Sequence, residues 1–343
     1  MKKLMLATAA LAVVFAGSAQ AQSRDTIQIA GSSTVLPFAS IVAEEFGNAF
    51  PQFKTPVVGS GGTGGGLKQF CEGVGANTID IANASRQIKK SEVEACNKNG
   101  VNKILEVQIG YDGIVFASSA SKADFALEPV HVFKAIAAQV AVDGKLVANP
   151  YKNWNEIDAA LPNQPIALAI PASNHGTREV FQERVIAAGA KAAGLPEMSK
   201  EEMEKVVTTF RQDVVVEIAG DYTETLARLQ SNADTVGVFG LSFYDQNKDK
   251  LKVATVSGVT PSLETVAAGE YPVSRPLFFY VKGEHVGVVP GIDEYVEFFL
   301  SDGIAGLGGT LETAGLIPAP AEETADVLAE YKAGKALTAA DVK

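Results

Sequence analysis

The chain alternates short runs of apolar and β-branched residues with longer stretches in which apolar residues recur at helical spacing. Residues 26–30 form one such run, and Phe38, Val42 and Phe46 then repeat every four positions. This pattern predicts a strand followed by a helix. Further strands are predicted at 55–58, 78–82, 107–117, 166–170, 214–218, 236–239 and 276–281. Helices are predicted at 67–73, 130–139, 176–193, 200–210, 222–231, 291–301 and 325–333. The alternation indicates the α/β class, with parallel sheets covered by helices.

Length and charge narrow the functional classes. A chain of 343 residues suggests two domains, since a domain usually has roughly 100–200 residues. The 29 Lys and Arg residues are outnumbered by 40 Asp and Glu residues, which gives a net charge of −11. Nucleic acids and anionic membranes require basic surfaces. We therefore expect neither as a partner.

The N-terminus has the features of a secretory signal peptide over residues 1–21. Lys2 and Lys3 precede an apolar run at 4–17, and Ala21 ends a small-x-small cleavage pattern. No later apolar run approaches the length that spans a bilayer, and no cysteine near the cleavage position could carry a lipid. We expect the mature chain to begin near Gln22 and to be free in the periplasm of a Gram-negative cell.

Two cysteines, Cys71 and Cys96, are the only ones in the sequence. They form no C-x-x-C motif, and the chain has too few histidines nearby for a zinc site. In an oxidising compartment a structural disulfide is favoured over two free thiols.

Ligands of open α/β sheets bind at the carboxyl ends of the strands, so the residues that follow each strand carry the functional signal. The first such segment contains Ser33, Thr34 and Val35 at a predicted helix start. Hydroxyl groups and free backbone N–H groups at a helix start favour an oxyanion. A simple helix cap is the alternative.

The second segment, 59–66, contains Ser60, Thr63 and six glycines. Glycines allow backbone amides to approach an anion closely, although a flexible linker has the same composition. The segment also fits G-x-G-x-x-G, but Asp80 lies inside a predicted strand rather than beyond it, which argues against a dinucleotide site. The P-loop pattern fails because Leu67 follows the glycines.

The third and fourth segments contain charged residues. Asp80 stands between apolar residues, which is costly for a carboxylate without a partner, and Arg86 follows the same strand. The fourth segment, 171–181, contains His175, Gly176, Thr177 and Arg178. An arginine can bind an oxyanion through two parallel hydrogen bonds. A Ser/His hydrolase is disfavoured because the chain lacks a G-x-S-x-G motif.

Together these segments resemble the phosphate-binding proteins of Pst-type ABC transporters, in the same order and over nearly the whole mature chain. The resemblance is carried by 31–37, 59–69, 80–85, 175–181 and 272–280. It implies an α/β, two-lobed periplasmic binding protein of the Venus flytrap type (type II-like). Such a fold has parallel or mixed sheets with helices on both faces and two crossover strands.

The resemblance also implies the division of the chain. We expect lobe I to comprise 22–110 and 274–343 and lobe II to comprise 111–273, with crossings near 108–113 and 269–275.

The resemblance further implies the residues that contact phosphate, namely Ser33, Thr34, Val35, Ser60, Thr63, His175, Gly176 and Thr177. Asp80 matches the carboxylate that accepts a hydrogen bond from a protonated phosphate, a contact that sulfate cannot make. His175 stands where many family members have serine. An arginine that some members carry before this motif is absent, so Arg178 is the first substitute and Arg86 the second.

The expected function is high-affinity binding of inorganic phosphate and its delivery to an inner-membrane ABC permease. We expect a monomer without cofactor, metal or enzymatic activity. The alternative is a receptor for another tetrahedral oxyanion, such as sulfate, molybdate or phosphonate. A secreted phosphatase on the same scaffold would need a nucleophile with a base, or a metal cluster, and the sequence shows neither.

Overall fold

The computed structural model describes residues 24–173, 177–219 and 222–342. The predicted signal peptide, His175 and Gly176 lie outside these residues. The strands are β1 (Gln28–Gly31), β2 (Val57–Ser60), β3 (Ile81–Ala84), β4 (Ile104–Ser119), β5 (Ala126–Leu127), β6 (Gln139–Val142), β7 (Lys145–Ala148), β8 (Leu168–Pro171), β9 (Val215–Ile218), β10 (Val236–Gly240), β11 (Leu251–Val253), β12 (Thr255–Val256) and β13 (Ser274–Lys282).

Helices separate most of these strands. They are α1 (Leu36–Ala49), α2 (Gly62–Phe70), α3 (Lys90–Lys98), α4 (Pro129–Ile136), α5 (Trp154–Ile157), α6 (Arg178–Val180), α7 (Ala188–Ala192), α8 (Lys200–Thr208), α9 (Tyr222–Ser231), α10 (Leu241–Asp245), α11 (Leu263–Ala267), α12 (Ile292–Phe299), α13 (Thr310–Thr313) and α14 (Ala321–Lys332). A π-helical segment, Phe181–Ala187, joins α6 to α7. Within the described ranges no helix is long and apolar enough to cross a membrane.

The main sheet is mixed rather than purely parallel. Its strand order is β2-β1-β3-β13-β4-β10-β8-β9, with β11 paired to the far end of β4. β1 pairs in parallel with β2 and β3, and β8 pairs in parallel with β9 and β10. The long strands β4 and β13 run antiparallel to each other and connect these two parallel groups. The sequence pattern predicted the parallel groups, and the resemblance allowed for the mixed sheet.

The hydrophobic cores fall into two groups along the sheet. One core is built from residues between Tyr111 and Val273, joined by Ile317. The other two contain residues up to Ile109 and from Leu277 onward, and they cover opposite faces of β3 and β13. β4 pairs with β13 up to Gly113 and with β10 from Ile114. This separation fits two lobes, and the boundaries at 110/111 and 273/274 stay a prediction.

The glycine-rich segment is a helix rather than a loop. The predicted helix at 67–73 in fact begins at Gly62. A Cβ on Gly66 would lie 2.4 Å from the Cα of Gly31 and 2.9 Å from the carbonyl oxygen of Ala30. Glycine is therefore required at 66 because α2 packs directly on β1.

The disulfide between Cys71 and Cys96 is present. It joins the end of α2 to α3, as the cysteine pattern suggested.

Candidate functional site

A cavity of about 250 Å³ lies where the two groups of cores meet. Its wall includes Thr34, which follows β1, and Asp112 in β4. From the other side come Thr177, Tyr222 and Ser242, which belong to the ends of β8, β9 and β10. The carboxyl ends of parallel strands from both groups thus converge on one cavity, as open α/β sheets favour.

Arg275 and Asp112 form a buried ion pair behind this cavity. The Nε and Nη2 atoms of Arg275 both donate to Oδ2 of Asp112 at 3.3 Å, and the two residues are 3% and 4% exposed. They face each other because β13 and β4 are paired with Arg275 opposite Asp112. Burial raises the pKa of the Asp112 carboxyl to about 6, although the neighbouring guanidinium acts in the opposite direction.

Two further carboxylates engage the same guanidinium. Arg275 Nη1 donates to Glu183 at 2.9 Å, and Nη2 donates to Glu179 at 3.4 Å. The Thr34 hydroxyl accepts from Arg275 Nη2 at 3.1 Å and donates to the Glu179 carboxylate. One arginine is therefore surrounded by three carboxylates, so the site offers hydrogen-bond donors and acceptors together and no excess of positive charge.

Hydroxyl groups line the opposite wall. The Tyr222 hydroxyl donates to Oγ1 of Thr177 at 3.3 Å, and burial raises the pKa of this phenol. Ser242 is 5% exposed, and its Oγ has no hydrogen-bond partner among the described residues. A buried hydroxyl in a cavity wall without a partner is costly unless a ligand or water satisfies it.

The first predicted segment reaches this cavity through Thr34 alone. Val35 is fully buried and Ser33 is exposed. The hydroxyl oxygen of Ser32 accepts from the backbone N–H groups of Thr34 and Val35 at 3.2 and 3.4 Å. Ser32 thus stabilises the turn that precedes α1, whose N-cap residue, Val35, has no side-chain cap.

The second predicted segment contributes packing. The Thr63 hydroxyl accepts from the backbone N–H of Ser85 at 3.0 Å and lies 3.1 Å from the Ser85 hydroxyl. Thr63 therefore ties α2 to the end of β3. Ser60 is exposed at the end of β2.

Asp80 does not line this cavity in the structure, and its predicted contact with phosphate stays a prediction. Its carboxylate accepts from Gln28 N–H at 2.7 Å, from His285 Nδ1 at 2.6 Å and from Arg24. Asp80 directly precedes β3, so the four residues of that strand separate it from the carboxyl end by roughly 13 Å. The cost of burying this carboxylate is offset by three hydrogen-bond donors. These donors lie at the amino end of β3, whereas the cavity lies at the carboxyl ends of the strands.

Both arginines nominated from the sequence are engaged elsewhere. Arg86 donates to both carboxylate oxygens of Glu92 at 2.9 and 2.8 Å. Arg178 donates to the Pro171 carbonyl at 2.7 Å and to Glu217 at 2.9 Å. Arg275, which the sequence marked only as part of a crossover segment, is the arginine beside the cavity.

Asp112, Tyr222 and Ser242 were not predicted from the sequence either. A usable signal was present for Asp112, because it is the one charged residue in the run 107–117. Ser242 follows a predicted strand by three positions and carries no motif.

The sequence from 16 to 303 matches the PBP superfamily domain. The chain belongs to the PBP superfamily. Among its relatives, the phosphate-binding protein PstS of Staphylococcus haemolyticus is 30% identical over 309 residues, which cover 88% of this chain and 84% of that protein. Protein SphX of Synechococcus elongatus is 30% identical over 311 residues, covering 89% and 81%.

A solved structure supports the same assignment to the PBP superfamily. The crystal structure of a possible phosphate binding protein from Planctomyces limnophilus has a TM-score of 0.65 and 26% identity, and the match covers 89% of this chain and 98% of that one. The two-lobed α/β fold and the resemblance to Pst-type binding proteins are thereby confirmed. The residues that contact a ligand in this PBP-superfamily chain stay a prediction.

Proposed function

We propose that this protein binds inorganic phosphate in the periplasm as a monomer and delivers it to an inner-membrane ABC importer without chemical turnover. Relatives named phosphate-binding protein PstS support the proposal along most of the chain. The observation that carries it is the 250 Å³ cavity between the two groups of cores, where hydroxyl groups, a buried carboxylate and a buried guanidinium converge.

The donors for the anion are the hydroxyls of Thr34, Thr177 and Ser242, and the Thr34 hydroxyl would turn its proton from the Glu179 carboxylate to the anion. They come from both sides of the cavity, so binding one oxyanion joins the two lobes. The guanidinium of Arg275 lies 3.1 Å from the Thr34 hydroxyl and orients it from behind. The family resemblance implies a further donor from the backbone of Gly176. Lobe closure about the crossover strands β4 and β13 would exclude water and strengthen each of these bonds.

Asp112 takes the role that the family resemblance implied for Asp80. It is buried in the cavity wall, and at pH 7 a carboxyl whose pKa lies near 6 is mostly ionised and can only accept hydrogen bonds. Phosphate still carries at least one proton at this pH and can donate it, whereas sulfate carries none and is repelled. Asp112 would therefore favour phosphate over sulfate.

The test exchanges Asp112 and, as the control, Asp80 for asparagine in protein stripped of ligand. Asp112→Asn should narrow the ratio of phosphate to sulfate affinity by roughly tenfold or more, because one unfavourable contact with sulfate is worth about 1.4 kcal/mol or more. Asp80→Asn should leave that ratio unchanged and lower thermal stability, since it removes the buried charge that pairs with Arg24 and weakens the hydrogen bond with His285. Calorimetric titration measures both ratios. An unchanged ratio in Asp112→Asn would remove Asp112 from the site, and a changed ratio in Asp80→Asn would restore Asp80.

A further inference from the structure

We infer that the cavity also accepts a phosphoryl group that carries a small apolar or aromatic substituent, as in a phosphonate or a phosphate monoester. The inference rests on the proposed function, because the phosphoryl group would use the same hydroxyl donors as inorganic phosphate. It extends the ligand class from the bare anion to monosubstituted phosphoryl compounds.

The volume of the cavity exceeds what an inorganic oxyanion needs. A water molecule takes about 30 Å³ in the liquid, so an anion of five heavy atoms takes roughly two to three times that volume, about 60–90 Å³. Of the 250 Å³ in the cavity, more than roughly 150 Å³ then remains. An apolar cavity of about that size accepts a benzene ring in another protein.

Part of the remaining wall is apolar, although Gln246, Glu312 and Thr313 also line the cavity. Pro37 and Phe38 on α1 line it, and Phe38 lies one helical turn after Thr34. Phe243 lines it from α10, with its ring centroid 5.4 Å from that of Tyr222. Ala314, at the end of α13, completes this surface. A bare oxyanion gains nothing from rings and methyl groups, whereas an apolar substituent gains from being removed from water against them.

The aromatic surface is held in place. The ring of Phe243 stacks on that of Phe239 at a centroid distance of 5.5 Å and an interplanar angle of 3°. Phe239 is fully buried in the core. A preformed surface costs little ordering on binding, which favours a ligand that uses it.

The hydroxyl of Ser242 supplies a second, independent indication of a ligand. It is buried in the same cavity wall and lacks a hydrogen-bond partner among the described residues. A substituted phosphoryl group has three terminal oxygens, and the Ser242 hydroxyl can donate to one of them. The fourth direction of the tetrahedron is then free to carry the substituent.

Three probes separate the possible ligands, each titrated into ligand-stripped full-length protein by calorimetry in competition with inorganic phosphate. Phenylphosphonate tests the carbon-linked substituent, phenyl phosphate tests the ester-linked one, and methylphosphonate tests the head group with a substituent too small to reach the rings. We expect at least one phenyl probe to bind at one site in competition with phosphate, and at least fivefold more tightly than methylphosphonate.

A variant pair locates the substituent. Ala314→Met fills the apolar part of the cavity from an exposed helix end and should lower the ratio of phenyl-probe to phosphate affinity at least tenfold. Ala333→Met is the matched control, because Ala333 is also exposed, ends α14 with nearly the same backbone angles, and lies away from the cavity. That ratio should not change in the control.

The outcomes separate this inference from the proposed function. Phosphate binding without binding of any phenyl probe overturns the inference and leaves the proposed function standing. The inference is also overturned if the phenyl probes bind without competing with phosphate, or if they bind no more tightly than methylphosphonate. The same holds if both variants change the affinity for the phenyl probes equally. Failure of phosphate and all three probes to bind overturns the proposed function itself.

Discussion

Replacing Asp112 by asparagine should stabilise the ligand-free protein at neutral and alkaline pH. Burial raises the pKa of this carboxyl from its ordinary value of 3.8 to about 6 in the folded protein. Each tenfold change in an acid constant is worth about 1.4 kcal/mol, so the ionised carboxylate costs the folded state about 3 kcal/mol. Asparagine removes that cost but is a weaker acceptor for Arg275, so we expect a net gain of about 1–3 kcal/mol. Arg275 keeps Glu179 and Glu183 as partners.

The sign of the pH dependence follows from the raised pKa. The folded state favours the protonated carboxyl, so the stability that Asp112 contributes is fully present below the unfolded value near 4 and is lost as the pH rises through about 6. The difference between Asp112→Asn and wild type should therefore be close to zero at pH 4 and largest at pH 7–8.

Scanning calorimetry across this pH range, in phosphate-free buffer, measures the difference. Asp326→Asn is the control, because Asp326 is exposed on α14 and forms no ion pair within the described residues. A lower stability of Asp112→Asn at pH 8, or a difference independent of pH, would refute the reasoning, since the attraction between Asp112 and Arg275 would then outweigh the cost of burial.

Three further substitutions test other parts of the account. Gly66→Ala should lose at least about 2 kcal/mol because its methyl group would lie 2.4 Å from Gly31, whereas Gly65→Ala, with nothing within 4 Å, should be neutral or stabilising in the same urea titration. Replacing Cys71 and Cys96 by serine should cost about 3.5 kcal/mol for a loop closed over 25 residues, and reductant should lower the melting temperature of wild type only. Glu179→Gln should tighten phosphate binding roughly tenfold, because it removes the negative charge beside the Thr34 hydroxyl. The control Glu201→Gln, at an exposed position, should leave the affinity unchanged. An unchanged calorimetric affinity in Glu179→Gln would place the anion away from Thr34.

The elements that the sequence predicted well are those with a long, regular apolar pattern. The run 107–117 was found as a strand because its buried residues are continuous, although β4 is longer at both ends. The predicted helix at 130–139 ends at Ile136, and 139–142 is a strand instead, because a hairpin partner at 145–148 supplies hydrogen bonds that no local pattern reveals. The start of α2 at Gly62 was missed because glycines have low helix propensity, and the close packing of α2 on β1 overrides it.

The site was harder to predict than the fold for a physical reason. Thr34 and Thr177 could be found because they follow strands and open helices, and both line the cavity. Asp80 and Asp112 look alike in sequence, since each is a carboxylate among apolar residues. The two aspartates differ in the direction of their strands and in their partners. Arg24 and His285 lie beside Asp80, and Arg275 lies beside Asp112. Such pairing depends on long-range contacts.

The most direct test of the central claim is a calorimetric titration of the ligand-stripped wild-type protein with phosphate and with sulfate at pH 7. The account predicts that phosphate saturates one site per chain and raises the melting temperature, and that sulfate binds at least roughly a hundredfold more weakly. Absence of both heat and thermal stabilisation with phosphate, or equal affinity for sulfate, would contradict it.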